Sequence, residues 1–378
     1  MKVLVIGGGY SGLTTIVGLR KKDKTVEIVL VEPKDHMEVV WASYRSAFDE
    51  KIGQQSLLDL PTFCTEQKVS HVKALVTGLT DTSATLSNGD TVDFDLCVVA
   101  VGAAAPWAGI GRSSTVAERK TTVQDRQAEM KEEGDKLLNA TNVLIVGGGL
   151  IGVELAGDVA YYKQENNKPG TVTLVHSGSH VINEWSDKAA GMVTKKLKSL
   201  KNLKLILNDR VVEEDGTYKL QSSGEALPEQ PDQVVMTVGF SPINSFMDAS
   251  MLDDKGYVKV DEFFRVEGSN GKIFALGDCE ATQLYNAGAA VLAQQGIIGN
   301  NLKVTLNALE KDGASADLSA VKLKPLNKLG LQGCVTVGRK QGVLFASGFV
   351  TQRIIPGIKN STMFIMKPKS DLKIKNFA

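Results

Sequence analysis

Two short apolar runs set the pattern of the chain. Val3-Leu4-Val5-Ile6 and Val143-Leu144-Ile145-Val146 are apolar at every position rather than at alternate ones, and each runs into a glycine cluster. Unbroken runs of this length predict strands buried on both faces, the pattern of a parallel sheet covered by helices on either side. The first cluster, Gly7-Gly8-Gly9-Tyr10-Ser11-Gly12, opens an apolar stretch of helical length. The second, Gly147-Gly148-Gly149-Leu150-Ile151-Gly152, opens Val153-Glu154-Leu155-Ala156-Gly157. Another strand follows each helix: Val26 to Val31, closed by Glu32, and Thr171 to Val175, closed by His176. Strand, glycine turn, helix and strand, twice over, predict two doubly wound α/β units in one chain.

Three more strands end at glycine. They are Leu96 to Ala100 before Val101-Gly102, Val234 to Thr237 before Val238-Gly239, and Lys272 to Leu276 before Gly277-Asp278. An amphipathic helix is predicted over Ala287 to Leu302, and the charged, helix-prone stretch from Gly111 to Ala140 reads as a crossover. From about Pro325 come strand-like pieces such as Gly333 to Val337, then a basic tail with Lys367, Lys369, Lys373 and Lys375. The predicted fold is therefore α/β: two Rossmann-type doubly wound domains plus a small C-terminal α+β extension. One domain is split between 1–112 and 241–305, the other is inserted at 113–240, and the extension covers 306–378.

Composition narrows the function. Lys+Arg and Asp+Glu both number 43, so the net charge is zero and nothing favours a nucleic-acid partner. Cys64, Cys97, Cys279 and Cys334 stand far apart, without a CxxC pair or a histidine at ligand spacing, so neither a disulfide framework nor a metal is expected. The chain starts straight into a strand. It is expected to lack a signal or transit peptide, and Lys2 stands where N-myristoylation needs glycine. No apolar run is long enough to span a bilayer, so the expected place is cytoplasmic or peripheral on a membrane.

The glycine turns carry the chemistry. Gly7 permits the tight turn, Gly9 lets backbone approach a pyrophosphate, and Gly12 lets helix and strand pack closely. The helix N-terminus then offers free N–H groups and a partial positive charge to phosphate. Glu32 can accept hydrogen bonds from both hydroxyls of an adenosine ribose. In the second unit His176 with Ser177 replaces that acid, which would admit a 2′-phosphate; the alternative is a solvated loop residue. Glu154 either caps the helix dipole or faces a nicotinamide ribose.

In this order, with Ala100-Val101-Gly102, Thr237-Val238-Gly239 and Gly277-Asp278 between and after the glycine motifs, the chain resembles the two-dinucleotide-binding-domain flavoproteins of the pyridine nucleotide-disulfide oxidoreductase fold. Val175-His176-Ser177, Ile273 through Cys279 and Val337-Gly338-Arg339-Lys340-Gln341-Gly342 make it similar to their apoptosis-inducing-factor-like branch, which includes the ferroptosis suppressors. The resemblance implies FAD, NADH or NADPH as electron donor, and a quinone acceptor of the ubiquinone or naphthoquinone type. It marks Gly7, Gly9, Tyr10, Ser11, Gly12, Glu32, Arg45, Val76, Gly102, Gly277 and Asp278 for FAD, with Arg45 and Trp41 shaping the flavin pocket. It marks Gly147, Gly149, Leu150, Ile151, Gly152, Glu154, His176 and Gly239 for the donor.

Ala293-Gln294-Gln295-Gly296 is similar to the quinone-facing helix of type-II NADH dehydrogenases, which gives Gln294 and Glu154 as catalytic residues. No cysteine lies between Met37 and Phe48, where disulfide reductases of this fold carry a pair, so thiol chemistry is disfavoured. In the extension, Leu344, Phe345, Phe349, Ile354, Ile355, Phe364 and Ile365 are expected to form an apolar mouth for quinone. Lys359, Lys367 and Lys369 would then give peripheral contact with anionic lipid. Truncation after Lys324 is expected to spare the flavin. A homodimer, a reductase of a small iron–sulfur carrier, and a slow NAD(P)H-gated signalling protein stay open.

Overall fold

The computed structural model describes residues 1–105, 119–282, 288–313, 316–325, 332–346, 348–352 and 354–374. The expected boundary at 112/113, Ala287 and Lys375 lie outside the described residues.

The first unit consists of β1 (Lys2–Ile6), α1 (Tyr10–Lys22), β2 (Glu27–Val31), the short α2 (Ser43–Ser46), β3 (Ser70–Val72) and β4 (Leu96–Val99). After the crossover helix α3 (Val123–Asn139), the second unit runs through β5 (Asn142–Val146), α4 (Leu150–Glu165), β6 (Thr171–Val175), α5 (Asp187–Leu197), β7 (Leu203–Ile206) and β8 (Gln233–Met236). The chain then returns to the first unit with β9 (Ile273–Ala275) and α6 (Gly288–Asp312). The parallel sheets have the orders β9-β4-β1-β2-β3 and β7-β6-β5-β8. Each places the strand that enters the glycine turn near its centre.

The unbroken apolar runs are explained by burial on both faces. On β1, Val3 and Val5 point into one core with Leu13, Ile16 and Leu30, while Leu4 and Ile6 point into another with Val29, Val31 and Phe94. A strand covered on one side only would alternate. Helix α1 packs along α6 at nearly backbone contact, because Gly18 and Gly299 leave no side chain between them. Lys21 Nζ to Gln295 Oε1 at 2.8 Å and Lys303 Nζ to Asp23 Oδ2 at 2.8 Å fasten the edges of that seam.

The extension is an antiparallel sheet, β10 (Gln332–Val337), β11 (Gln341–Ala346) and β12 (Phe349–Thr351), followed by α7 (Ile354–Thr362) and α8 (Met366–Leu372). It sits against the second unit: a Cβ on Gly157 of α4 would fall 2.8 Å from Gly338 N, and Trp185 stacks on Phe345 at 5.5 Å. Small additions escaped the sequence pattern. These are the edge strand β3, the antiparallel sheet of Val76–Leu79, Ser83–Leu86 and Thr91–Asp93, and the hairpin Val211–Glu214 with Thr217–Leu220. All are short and half-exposed, where periodicity carries little signal. No described helix is long and apolar enough to cross a membrane.

Candidate functional site

Two long helices begin at a glycine where others begin at a side-chain cap. Helix α3 is capped by Thr122, α5 by Ser186, and the helices Glu50–Ser56 and Leu60–Gln67 by Asp49 and Asp59, each side chain accepting a backbone N–H of the first turn. Helices α1 and α4 start at Gly9 and Gly149 with no side-chain cap. A Cβ at either glycine would meet nothing within 4 Å. Free N–H groups, a positive dipole end and open space coincide at both turns, which suits a diphosphate at each. Gly7 (φ +107°) and Gly147 (φ +112°) make the turns in the left-handed region. Gly12 and Gly152 lie so close to the carbonyls of Gly7 and Gly147 that only glycine fits.

Glu32 lies over the first turn. Its Oε2 accepts Gly8 N–H at 2.7 Å, and its Oε1 meets Lys34 N at 3.1 Å and Lys34 Nζ at 3.0 Å. Burial pushes the carboxyl up, but the Lys34 ammonium and these N–H donors outweigh it and hold the pKa below the ordinary range. His176 occupies the same place over the second turn, where its Nδ1 accepts Gly148 N–H at 3.1 Å and its Nε2 lies 3.2 Å from Asn183 Oδ1. Gly102 (φ +72°) and Gly239 (φ +73°) follow β4 and β8, and the segments after them pair, Ala103 with Pro242 and Ala104 with Ser241.

Gly277 (φ +84°) comes up beneath the first turn, where a Cβ would fall 2.5 Å from Ser11 Oγ. Ser11, Thr14, Thr15, Gly277 and Gln294 line one small pocket between α1 and α6. Gln294 is thus gathered with the FAD-side residues, 4% exposed, in the seam against α1. Asp278, next in the chain, is half-buried. Tyr10 packs edge-on to Trp41 at 5.5 Å, and Trp41 Nε1 donates to Met363 O at 2.9 Å, so this pair meets the extension. Val76 is half-buried at the start of its small sheet. Leu150 and Val238 stay 39% and 45% exposed beside the second turn, an apolar lip for the donor site, with Ile151 half-buried behind.

Arg45 and Glu154 turn up in a joint rather than in an open cleft. The Arg45 guanidinium is fully buried and bidentate to Asp158, Nε to Oδ2 at 2.8 Å and Nη2 to Oδ1 at 2.6 Å. Its remaining N–H groups go to Asn360 O and Oδ1, Thr336 Oγ1 and Gly338 O. No donor is left over to shape a flavin pocket. Burial alone would lower its pKa, but Asp158 reverses this and keeps the guanidinium charged. One turn earlier on α4, Glu154 Oε1 accepts Thr336 N–H at 2.8 Å, Thr336 Oγ1–H at 2.9 Å and Lys359 Nζ at 2.6 Å, while Oε2 accepts the Tyr44 hydroxyl.

Tyr44 and Arg45 of α2 therefore grip acids four residues apart on α4, while in α7 Lys359 holds Glu154 and Asn360 holds Arg45. Lys359 is 6% exposed and faces no lipid, contrary to the expectation from sequence, because Glu154 and Cys334 O draw its ammonium inward. Phe345 and Ile365 are likewise core rather than mouth. The side chains of Ile354 and Ile355 lie outside the described residues. Sequence reading missed Tyr44, Asp158, Thr336 and Asn360 altogether; the only trace was Glu154 and Asp158 interrupting an apolar helix at i, i+4.

Two uncapped glycine turns, each beneath a side chain that closes the neighbouring strand, define a flavoprotein oxidoreductase scaffold with two dinucleotide sites. The chain belongs to the pyridine nucleotide-disulphide oxidoreductase family, whose pattern matches residues 1–296, and that family works with FAD and NAD(P)H. It is 26% identical to apoptosis-inducing factor homolog B of Dictyostelium discoideum, covering 98% of this chain and 96% of that one. It is 25% identical to ferroptosis suppressor protein 1 of Taeniopygia guttata, covering 97% and 94%. Among solved structures it is similar to the sulfide:quinone oxidoreductase of Aquifex aeolicus, with a TM-score of 0.74 and 14% identity over 98% of this chain and 92% of that one.

Proposed function

We propose that the protein is an NAD(P)H:quinone oxidoreductase that takes electrons from NADH or NADPH through FAD to a ubiquinone- or naphthoquinone-type acceptor. The observation that carries the acceptor class is the state of the thiols. Cys64, Cys97 and Cys279 are buried, and burial pushes Cys64 and Cys279 up to about 12 and Cys97 higher still. Cys334 is half-buried and pushed up to about 11. No thiol is poised to pass electrons to a disulfide, which supports an acceptor that takes them from the flavin directly. The similar solved structure names a quinone as its acceptor.

Bound FAD supplies the two-electron relay, and the chain supplies position and field. In this reading Gly7, Gly9, Ser11 and Gly12 hold the FAD diphosphate, Glu32 its adenosine ribose, and Gly277 with Asp278 its ribitol. Gly147, Gly149, Leu150 and Gly152 hold the donor. Glu154, fixed by Tyr44, Thr336 and Lys359, sits on the donor-site helix, and Gln294 sits on α6 beneath the flavin domain. Among the described residues of the extension, Phe349, Ile358 and Met366, 63%, 48% and 61% exposed, are the large apolar side chains open to a quinone tail or lipid. The test is steady-state oxidation of NADH and NADPH by the purified yellow protein with short-chain ubiquinone, menadione and ferricyanide. Many turnovers with a quinone are expected; flavin reduction without quinone turnover would favour the slow signalling protein instead.

A further inference from the structure

The two glycine turns differ in how their middle residue is held. In each, its N–H goes to the side chain that closes the next strand, Gly8 to Glu32 and Gly148 to His176. In the second turn the carbonyl is held as well. Gly148 O accepts the Ile182 N–H at 2.8 Å, whereas Gly8 O has no such partner among the described residues. We infer that the loop 177–186 braces the electron-donor turn and that Trp185 ties this brace to the C-terminal extension, so that the extension sets how tightly the nicotinamide dinucleotide binds. This rests on the second unit being the donor site, as read above.

The brace is strained. Ile182 has φ +54°, and among the described residues it is the one β-branched residue in the left-handed region. A branched side chain is crowded by backbone there, and such a conformation persists only where the surroundings over-determine it. They do so here. Val181, Ile182 and Trp185 are buried, and Ile182 O accepts the Trp185 N–H at 2.9 Å. Near the start of the loop Gly178 O accepts the Asn208 N–H at 3.0 Å, and at its end Ser186 caps α5.

In a trans peptide the C=O and the N–H point in opposite directions. Drawing Gly148 O to Ile182 therefore turns the Gly149 N–H away from the loop. Gly149 is the residue that starts α4 without a side-chain cap and has open space above it. An N–H fixed before the diphosphate arrives lowers the ordering penalty of binding.

Trp185 carries the brace to the extension. Gly333 and Phe345 face each other across β10 and β11, and the indole sits on that pair. Its ring stacks on Phe345 at 5.5 Å, and a Cβ on Gly333 would fall 2.9 Å from its Cζ2. Phe345 supplies the ring and Gly333 the room. Lys196 Nζ, 3.4 Å from Gln341 Oε1, is a second tie between α5 and β11. The line of contact thus runs from Phe345 through Trp185 and Ile182 to Gly148.

The experiment is stopped-flow reduction of the FAD-loaded full chain over a range of NADH and NADPH concentrations, with hydrogen exchange followed over the loop 177–186. Trp185→Leu keeps an apolar filling and loses the ring. It should raise the donor concentration for half-maximal reduction by about tenfold, roughly the worth of one hydrogen bond to a charged group. The limiting rate and the FAD content should stay within about twofold, since only binding is weakened. The Ile182 amide should exchange faster in the same variant without nucleotide, and NAD⁺ should slow it again. Trp185→Phe, which puts a ring back, should restore both readings. If Trp185→Leu does not fold, Phe345→Leu gives the same reading from the extension side. A contact that served stability alone would lower Tm in either variant and leave donor affinity unchanged. Unchanged half-saturation in a folded, flavin-loaded variant, or a loss confined to the limiting rate, would overturn the inference. Gly152→Val separates this from failure of the donor-site reading: if that variant too keeps the wild-type half-saturation, the donor binds elsewhere and the inference falls with the reading.

Discussion

The two glycine units share a backbone and differ in charge. Both start an uncapped helix at a glycine with open space above it, both make the turn with a glycine at positive φ, and both lay a side chain across the middle glycine. Glu32 does this as an anion braced by Lys34, His176 as a ring braced by Asn183. Glycine sets the shape of a dinucleotide site through sterics alone. The residue that closes the next strand sets the charge laid beside that shape, an anion at Glu32 and an imidazole at His176.

Filling the third glycine should give the largest effect. Gly12→Val would place a Cβ 2.1 Å from the Gly7 carbonyl oxygen, so the backbone of strand and helix must part. The protein should emerge without FAD, or unfolded, by absorbance against protein after gel filtration. Gly152→Val should leave a yellow protein that NAD(P)H no longer bleaches in a stopped-flow trace. If both variants lose flavin alike, the units are not independent.

Next comes the joint between them. Arg45→Met leaves Asp158 buried without its partner, a loss of about 3–5 kcal/mol, read as a lowered denaturant midpoint. Arg45→Met with Asp158→Leu should recover most of it, since two apolar groups of similar size restore balance.

The anion over the first turn should matter by less. Glu32→Gln removes a charge-assisted acceptor worth about 1.5–3 kcal/mol, so FAD dissociation should speed by about tenfold to a hundredfold. Acid should mimic it in part. A carboxylate with a lowered folded pKa contributes stability above the unfolded value and loses it as pH falls through the folded one. Glu38 gives the clearest window: burial opposes its ionisation, but Arg126 holds it down at about 2, against an ordinary value of 4.5. Its contribution should be complete above pH 4.5 and vanish towards pH 2, and Glu38→Gln should flatten that part of the profile of Tm against pH.

Smallest of all should be the change on replacing Cys64, Cys97, Cys279 and Cys334 by Ala or Ser. In a folded variant, turnover with quinone should stay within about twofold, because no thiol is ionised or exposed enough to react.

The contrast between the units also marks how far the sequence could be read. Val3 to Gly12 and Val143 to Gly152 were legible because a buried parallel strand and a phosphate turn each impose residue types at fixed local spacing. Helix α6, predicted to end at Leu302, runs on to Asp312. The Arg45 network was not legible. Its members stand at 44, 45, 154, 158, 336, 359 and 360, joined by contacts rather than by period. A lysine in an amphipathic C-terminal helix reads as solvated until its partner is known, so Lys359 was taken for a lipid-facing charge. Gln294 was legible as a helix residue, yet its place against Ser11 and Gly277 depends on how α1 and α6 close.

That network has a consequence for how much of the chain can be cut away. Glu154 and Asp158 are made near the middle of the chain, and Arg45 offsets only one of their two negative charges. Lys359, which offsets the other, is supplied by the C-terminal extension. A chain cut after Lys324 would carry both nucleotide folds with an unbalanced acid between them, so the truncation that sequence alone expects to spare the flavin should instead destabilise the joint.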